Sequence, residues 1–347
     1  MRRLSNFSQL PLVDISGLRN GDAAAQLAVA RQLGKAAREV GFLYVTGHGV
    51  APARFIELQR AAADFFELPL AEKMAVYIGH SRNHRGYVPE GEEVYAGGTK
   101  DRKEAYDLSF ELPADDPDYL AGNPLLGPNQ WPSLPGFREA ISAYYNEVLA
   151  VGKDLLRGFA LAIDEPPENF CSHVNRPPSQ LRLVHYPFDP ADPDAVGIGG
   201  HTDYECFTLL HASAPGLEVL NGAGDWIAAP PVPGAFVVNI GDMLELWTNG
   251  EFIATTHRVQ KIAEERYSFP LFFNVDYHTR IAPLPRLVRE GEPVRAPLVA
   301  GEHLFAQTSQ SFGYLKARLA SGELTLPEGS VGLSSFGQAA RQARPEG

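Results

Sequence analysis

The sequence contains few residues of the kinds that cross-link a chain or anchor it in a membrane. Its 347 residues include only two cysteines, Cys171 and Cys206, which excludes a disulfide-rich scaffold and is typical of a reducing compartment. No hydrophobic run approaches the roughly 18 residues of a membrane-spanning helix. The first residues include arginines but no apolar stretch typical of a secretory signal. We therefore expect a soluble, cytoplasmic protein with no membrane partner.

Basic residues are also scarce. The chain has 30 Lys and Arg against 42 Asp and Glu, which gives a net charge of −12. Proteins bind nucleic acids through basic patches, so no nucleic-acid partner is expected. The hydrophobic fraction of 44% is enough for a substantial core. At about 150 residues per domain, the length fits one large domain or two small ones. The oligomeric state stays open.

The first half of the chain predicts alternating strands and helices. Apolar residues at helical spacing and turn residues at the ends support these elements, and Asp22 is placed to cap the first long helix. The predicted elements are strands over 10–15 and 42–45 and helices over 23–40, 53–66 and 134–163. Residues 80–132 lack periodicity and are rich in glycine, proline and acidic side chains, which predicts long loops.

The sequence after Pro178 changes to short β-rich runs separated by turn pairs such as Pro233-Gly234. Short strands at near-regular spacing are typical of a sandwich or barrel rather than of βαβ units. The predicted strands cover 181–186, 198–201, 207–210, 217–220, 226–228, 236–240, 256–262 and 267–275. A last helix is expected over 302–319. Together these elements predict a mixed α+β fold, with a β core flanked by helices.

The strongest chemical signal is the triplet His201-Thr202-Asp203. On a strand, residues i and i+2 share a face, so the imidazole and the carboxylate would converge. Such a triplet alone is usually a surface polar pair. His257, 54 residues further along in a β-branched run, changes this interpretation. Two histidines and one carboxylate make the facial triad of non-haem Fe(II) oxygenases.

A second candidate group follows nine residues after His257. Arg266 and Ser268 would share a strand face and present a guanidinium beside a hydroxyl. This pair could bind a carboxylate through two hydrogen bonds. Near a metal centre it is a plausible anchor for a chelating keto acid.

Eight short motifs that include these groups follow one another along the chain. They are LVDIS (12–16), GFLYVTGHG (41–49), GPNQWP (127–132), LRLVHYP (181–187), GGHTDY (199–204), PGAFVVNIGD (233–242), THRV (256–259) and RYS (266–268). In this order they resemble the iron(II)/2-oxoglutarate-dependent oxygenases of the isopenicillin N synthase-like branch. The resemblance runs from about residue 10 to residue 320.

The resemblance implies a double-stranded β-helix (jelly-roll) core and Fe(II) bound by His201, Asp203 and His257. It also implies that Arg266 and Ser268 hold the C5 carboxylate of 2-oxoglutarate, with support from Tyr186. On this basis residues 1–175 form a helical and mixed N-terminal region, 176–290 the jelly-roll core and 291–347 a C-terminal helix and tail, all in one structural unit. The implied reaction uses O₂ to oxidise a small-molecule substrate and releases succinate and CO₂; hydroxylation is the expected outcome, and desaturation or ring closure is also available to the family. His48 is expected to be structural, and His185 to face away from Tyr186.

Two alternatives stay open. A relative of the same fold could use Fe(II) and O₂ without 2-oxoglutarate, with the Arg-x-Ser motif binding the substrate's own carboxylate. A jelly-roll protein could also retain a metal and bind ligands without catalysis, although structural metal sites are usually closed. A zinc hydrolase is excluded by the absence of an H-E-x-x-H motif.

The substrate residues are less clearly indicated. Residues 85–97 are similar to a segment of the bacterial ethylene-forming enzymes, in which the glutamate corresponding to Glu93 helps to bind arginine. The favoured interpretation of this segment is nevertheless a solvated acidic loop. Further pocket candidates are Tyr87, Tyr204 and Phe273. The sequence departs from the family pattern at Val184, where many relatives have asparagine, and at Glu205, where many have glycine.

Overall fold

A computed structural model of the chain describes residues 4–93, 103–188, 198–259, 263–291, 295–327 and 330. The strands are β1 (Leu12–Asp14), β2 (Phe42–Thr46), β3 (Gly86–Val88), β4 (Glu104–Leu108), β5 (Gln180–Tyr186), β6 (Ile198–His201), β7 (Phe207–Ala212), β8 (Leu217–Leu220), β9 (Trp226–Ala228), β10 (Phe236–Ile240), β11 (His257–Val259), β12 (Arg266–Phe273), β13 (Arg280–Ile281) and β14 (Leu298–Val299). The helices are α1 (Ser16–Asn20), α2 (Ala23–Glu39), α3 (Pro52–Phe66), α4 (Leu70–Met74), α5 (Pro117–Leu120), α6 (Phe137–Ala162), α7 (Glu168–Cys171), α8 (Asp242–Trp247), α9 (Ala300–Thr308) and α10 (Gly313–Ser321).

Two sheets enclose the interior of the β core. The larger has eight strands in the order β1-β2-β10-β7-β12-β5-β4-β3, and the smaller has four in the order β6-β11-β8-β9. Their pairings are antiparallel except that of β1 with β2. This is the jelly-roll core that the sequence predicts. Strands β1 to β4 come from the predicted N-terminal region and share one sheet with the predicted core strands, while the region boundaries themselves stay predictions.

Helices cover one face of the larger sheet. The long helix α6 packs against α2, α3 and strand β12. Its Gly152 lets the ring of Phe273 approach the helix backbone closely, since a Cβ there would lie 2.2 Å from that ring. Asp22 caps α2 as predicted, because its carboxylate accepts a hydrogen bond from the backbone N–H of Ala25 at 2.9 Å. In the described part of the chain, no helix has the length and apolar character needed to cross a bilayer.

The structure differs from the sequence prediction in three places. Residues 80–132, predicted as loops, contain β3, β4 and α5. Strand β4 carries Glu104 and Asp107, whose charges hide its period-two pattern but are balanced by buried ion pairs. The predicted C-terminal helix is divided into α9 and α10, because the N–H of Gly313 turns to donate to the carbonyl of Glu92. The strand predicted over 256–262 covers 257–259, and residues 260–262 lie outside the described part.

Candidate active site

Three metal-binding side chains converge beside the smaller sheet. His201 and His257 pair directly across β6 and β11, and their ring centroids are 4.3 Å apart. Asp203 lies two residues beyond the end of β6, so it is not strand alternation that places its carboxylate beside His201. Its Oδ1 is 3.7 Å from Nε2 of His201 and 3.5 Å from Nε2 of His257. The turn after β6 therefore brings the carboxylate to the two imidazoles.

Backbone carbonyls orient the two histidine rings. Nδ1 of His201 lies 2.8 Å from the carbonyl oxygen of Gly199, and Nδ1 of His257 lies 3.3 Å from that of Thr255. Because a carbonyl oxygen only accepts, each Nδ1 is the donor, and each Nε2 presents its lone pair to the site. Burial and the neighbouring His257 lower the pKa of His201 to about 4. The ring is therefore neutral at pH 7, the form that binds a metal.

The carboxylate of Asp203 is fixed by two strands of the larger sheet. Its Oδ2 accepts a hydrogen bond from the hydroxyl of Thr208 on β7 and another, at 2.7 Å, from the amide of Asn239 on β10. Burial opposes ionisation, but His257 and these contacts outweigh it and hold the pKa of Asp203 well below its usual range. Neither supporting residue is predicted from the sequence, although Asn239 lies within the motif at 233–242.

The three side chains fit a divalent metal ion. Their ligand atoms lie within 4.8 Å of one another. Nitrogen and oxygen ligands about 2 Å from one ion are separated by roughly 3 to 3.5 Å, so the observed spacing requires only small movements. Two imidazoles and one carboxylate are the donor set of the Fe(II) facial triad, which leaves three coordination positions open.

A cavity between the two sheets extends from these ligands to Arg266, and we name it the Arg266 cavity. Its polar lining includes His201, Asp203, His257, Tyr186, Arg266 and Ser268, and its apolar walls include Val184, Leu210, Leu217 and Val259. The empty volume, which includes space open to solvent, is about 640 Å³. Val184, one of the departures from the family pattern, makes this wall apolar where an asparagine would add a polar contact.

The guanidinium group of Arg266 has an unpaired hydrogen-bond donor among the described residues of this cavity. Its side chain is buried, with 1% exposed, and its Nε donates to the carbonyl of Ala214 at 3.2 Å. One terminal nitrogen of the guanidinium has no hydrogen-bond partner among the described residues. Burial lowers the pKa of Arg266. Because buried donors are rarely left unpaired, this group fits a carboxylate ligand such as the C5 carboxylate of 2-oxoglutarate.

A second cavity also borders the metal ligands, and we name it the Tyr204 cavity. Its lining includes His201, Asp203, Tyr204, Glu205, Phe272, Phe312, His84, Glu93 and Arg182, and its empty volume is about 550 Å³. Two of the predicted substrate residues, Tyr204 and Glu93, therefore lie beside the metal site. Their contact with a substrate stays a prediction.

Glu93 belongs to a buried network of four charges. Arg182 binds both carboxylate oxygens of Asp107 at 2.7 Å and one of Glu93 at 2.7 Å. The Nζ of Lys103 lies 3.0 Å from the other oxygen of Glu93. Burial disfavours the charged form of Glu93, but the two cations outweigh it and lower its pKa to about 2. The interpretation of Glu93 as part of a solvated loop is wrong, because only 4% of the residue is exposed.

Glu205 is the other carboxyl in the Tyr204 cavity. It is buried, with 7% exposed, and no ion pair joins it to a basic side chain within the described ranges. Burial, together with the neighbouring Asp203 and Asp242, raises its pKa to about 8, although nearby backbone N–H groups act in the opposite direction. A positive charge in the cavity would favour its ionised form.

Family comparisons agree with this geometry. A family model described as the N-terminal region of a non-haem dioxygenase in morphine synthesis matches residues 10–134. The 2OG-Fe(II) oxygenase superfamily matches residues 177–275. The 2-oxoglutarate-Fe(II) type oxidoreductase hxnY of Emericella nidulans is 34% identical over 319 residues, which is 88% of this chain and 91% of that protein. The chain belongs to the 2-oxoglutarate/Fe(II) oxygenase family.

For two further proteins similar to this oxygenase, a small molecule is named: in one case in the name of the enzyme, and in the other as a ligand in the crystal structure. The homoarginine-6-hydroxylase 2-ODD-C23.1 of Arabidopsis thaliana is 34% identical over 330 residues, which is 89% of this chain and 99% of that protein. The crystal structure of a full-length Neurospora crassa protein in complex with alpha-KG and thymine superposes with a TM-score of 0.74 at 26% identity, over 93% of this chain and 100% of that one. Fe(II), 2-oxoglutarate and O₂ are accordingly the cofactor and cosubstrates of the family.

The side chains around the metal site indicate how the cofactor and the cosubstrate would be held. When bound, iron and 2-oxoglutarate supply the chemistry that activates O₂ and oxidises a substrate, with release of succinate and CO₂. The residues His201, Asp203 and His257 would hold the iron, and Arg266 would hold the distal carboxylate of 2-oxoglutarate. Tyr186 and Ser268 line the same cavity as Arg266, and their roles toward the cosubstrate stay predictions.

The structure does not bring Tyr87 and Phe273 to either cavity. Tyr87 pairs with Tyr106, one position away from Asp107, so side-chain alternation puts it on the opposite face of the sheet from Arg182. Its hydroxyl donates to Glu104 at 2.6 Å. Phe273 follows Phe272, which lines both cavities, and therefore points into the core behind the sheet.

Two histidines lie where the sequence predicts them. His48 is structural: its Nδ1 accepts from the N–H of Val50 and its Nε2 lies 3.1 Å from the carbonyl of Gly234. His185 faces away from the cavities, where its two ring nitrogens lie 2.9 Å from Glu104 and Glu265.

Proposed function

We propose that this oxygenase hydroxylates a small molecule that carries a cationic nitrogen group, with basic amino acids as the expected class. The observation that carries the proposal is the lining of the Tyr204 cavity. Charged and polar side chains, including the carboxyls of Glu93 and Glu205, surround the space beside the metal ligands. Two aromatic rings, Phe272 and Phe312, provide walls for the aliphatic part of such a molecule.

The relatives support the same class. The Arabidopsis homoarginine-6-hydroxylase aligns along nearly its whole length with this chain. Homoarginine is an amino acid that ends in a guanidinium group. The thymine bound in the Neurospora structure is uncharged, so it provides the natural contrast in an assay.

Succinate formation by the Fe(II)-loaded protein tests the proposal. We expect L-homoarginine, L-arginine or L-lysine to stimulate 2-oxoglutarate turnover above the substrate-free rate and to yield a product with one added oxygen atom. Neutral amino acids and thymine serve as comparison compounds. If only an uncharged compound stimulates turnover, the proposed substrate class is wrong.

The same assay without 2-oxoglutarate addresses the alternative oxidase. We expect substrate-dependent O₂ uptake to require 2-oxoglutarate, because the unpaired arm of Arg266 lies in a cavity that also holds the metal ligands. Equal uptake without the keto acid would favour a reaction that does not use it.

We also propose a cytoplasmic location. Both cysteines are free, and Cys206 is buried, which is compatible with a reducing compartment. Fractionation of cells that express the tagged full-length chain would test this, and recovery outside the cytoplasm would contradict it.

A further inference from the structure

Glu205 stands out because the described part of the protein provides it with no cationic partner. The carbonyl of Glu205 accepts from the N–H of Met243 at 3.1 Å, which fixes its backbone against α8. The side chain lines the Tyr204 cavity two residues after the metal ligand Asp203.

The charges around the two carboxyls of this cavity differ. Glu93 already contacts Arg182 at 2.7 Å and Lys103 at 3.0 Å, so two cations of the protein balance it. Glu205 is buried in the lining of the same cavity and forms no ion pair with a basic side chain in the described ranges. A buried carboxyl without a cationic partner is unfavourable unless a ligand supplies one. Among the described residues, the carboxyl of this cavity that no basic side chain balances is therefore Glu205 and not Glu93.

A second buried polar group in the same cavity is only partly paired. His84 is buried and has a backbone φ of 61°, which is uncommon for a residue other than glycine. Its Nδ1 is hydrogen-bonded to the hydroxyl of Tyr314, but its Nε2 has no hydrogen-bond partner among the described residues. An unpaired ring nitrogen in the cavity of an uncompensated carboxyl indicates a space built for a polar ligand.

We infer that Glu205 is the specificity-determining residue of this oxygenase and binds the cationic nitrogen group of the substrate. The inference rests on the proposed function and adds to it the position of the charge. The cationic end of the substrate would lie next to the metal ligands, and the rest of the molecule would extend toward His84 and Phe312. Glu93 has a different role, which is to hold Arg182 and Lys103 in place.

A pair of ligands that differ only in charge tests the inference. L-Homoarginine and L-homocitrulline have nearly the same shape, but the second ends in a neutral urea group. Their dissociation constants would be measured by calorimetry under anaerobic conditions, with the full chain loaded with Fe(II) and 2-oxoglutarate. The ratio of the two constants isolates the contribution of the charge. For the wild-type protein we expect homoarginine to bind roughly tenfold to a hundredfold more tightly.

Two variants of Glu205 carry the test. Glu205→Gln keeps the shape and removes the charge, and Glu205→Gly removes the whole side chain. Both should lose the preference for homoarginine, so that the ratio falls to about one. The exposed control Glu67→Gln should keep the wild-type ratio. The iron content and melting temperature of each variant show that it is folded.

The outcomes separate the inference from the proposed function. If the wild-type protein prefers homoarginine and the two Glu205 variants keep that preference, the inference is wrong and the substrate class stands. Loss of the preference in Glu93→Gln together with its retention in both Glu205 variants would place the binding charge at Glu93 and would also overturn the inference. If the wild-type protein binds no cationic ligand more tightly than its neutral analogue, the proposed function fails, and the inference fails with it.

Discussion

Arg266 and Tyr186 lie directly opposite each other on β12 and β5, with the guanidinium carbon 5.0 Å from the centre of the phenol ring. The ring supports the guanidinium from one side, and the carbonyl of Ala214 accepts a hydrogen bond from its Nε. The remaining unpaired nitrogen is therefore held in a fixed position in the Arg266 cavity. Such preorganisation is what a site for a dicarboxylate cosubstrate requires.

Arg266→Ala should raise the KM for 2-oxoglutarate by at least tenfold. Loss of one partner of a buried, hydrogen-bonded charge pair costs about 2–5 kcal/mol. Arg266→Lys should restore only part of the affinity, because an ammonium group cannot form the paired hydrogen bonds of a guanidinium. The measurement is succinate formation against 2-oxoglutarate concentration, with iron content as the control for an intact metal site. An unchanged KM for 2-oxoglutarate with weaker substrate binding would instead assign Arg266 to the substrate.

Asp203→Ala should abolish iron binding. The variant removes the anionic ligand between two neutral imidazoles, and it also leaves the amide of Asn239 without its acceptor. Metal analysis after anaerobic loading and desalting checks this, with His48→Ala as the matched control. His48→Ala should lower the melting temperature but retain iron, since its ring only joins Val50 to Gly234. Full iron occupancy in Asp203→Ala would contradict the assignment of the ligands.

Glu93→Gln should change the pH dependence of stability. The pKa of Glu93 falls from 4.5 to about 2 in the folded protein, a difference on the order of 3 kcal/mol. A depressed pKa stabilises the fold above pH 4.5, and this contribution is lost as the pH falls toward 2. The unfolding free energy of the wild-type protein should therefore exceed that of Glu93→Gln by a large amount at pH 7 and by a smaller amount at pH 3. Urea unfolding at both values measures it, and Glu67→Gln should show no such difference. An equal advantage at both pH values would count against an ionised Glu93.

Much of the site could be predicted because its chemistry is carried by short motifs. His201, Asp203 and His257 needed only residue type and spacing, together with the strand pattern around them. Arg266 was predictable for the same reason. The sequence does not show which distant segments pair with each other. No local pattern indicates that Glu93 forms an ion pair with Arg182, which is 89 positions away. An acidic loop and a buried ion-pair network have the same composition, so only the fold distinguishes them.

The fold was predicted best where side-chain periodicity is regular. The long helices and the strands of the second half follow their apolar patterns closely. Strands β3 and β4 were missed because they are short and β4 contains two charged residues. Tyr87 and Phe273 show a second limit. Phe273 is one residue away from Phe272, which lines both cavities, and Tyr87 lies on the sheet face opposite Arg182. A shift of one residue on a strand moves a side chain to the opposite face.

The neighbours Phe272 and Phe273 provide a direct test of this alternation. Phe272 is half-buried and lines both cavities, whereas Phe273 is fully buried and stacks on Phe207 with ring centroids 4.6 Å apart. Phe273→Ala should lower the unfolding free energy by about 3–5 kcal/mol, because it leaves a void against Gly152 of α6.

Phe272→Ala should show the opposite balance. It should destabilise the fold far less, and it should raise the KM for the main substrate roughly tenfold through the loss of an apolar wall. Both residues are phenylalanines at adjacent positions of β12, so the two variants differ only in the face of the sheet that they alter. Urea unfolding and substrate-dependent succinate formation on the same preparations measure both effects. If Phe273→Ala changed the KM and Phe272→Ala mainly reduced stability, the assignment of the two sheet faces would be wrong, and with it the placement of the Tyr204 cavity beside β12.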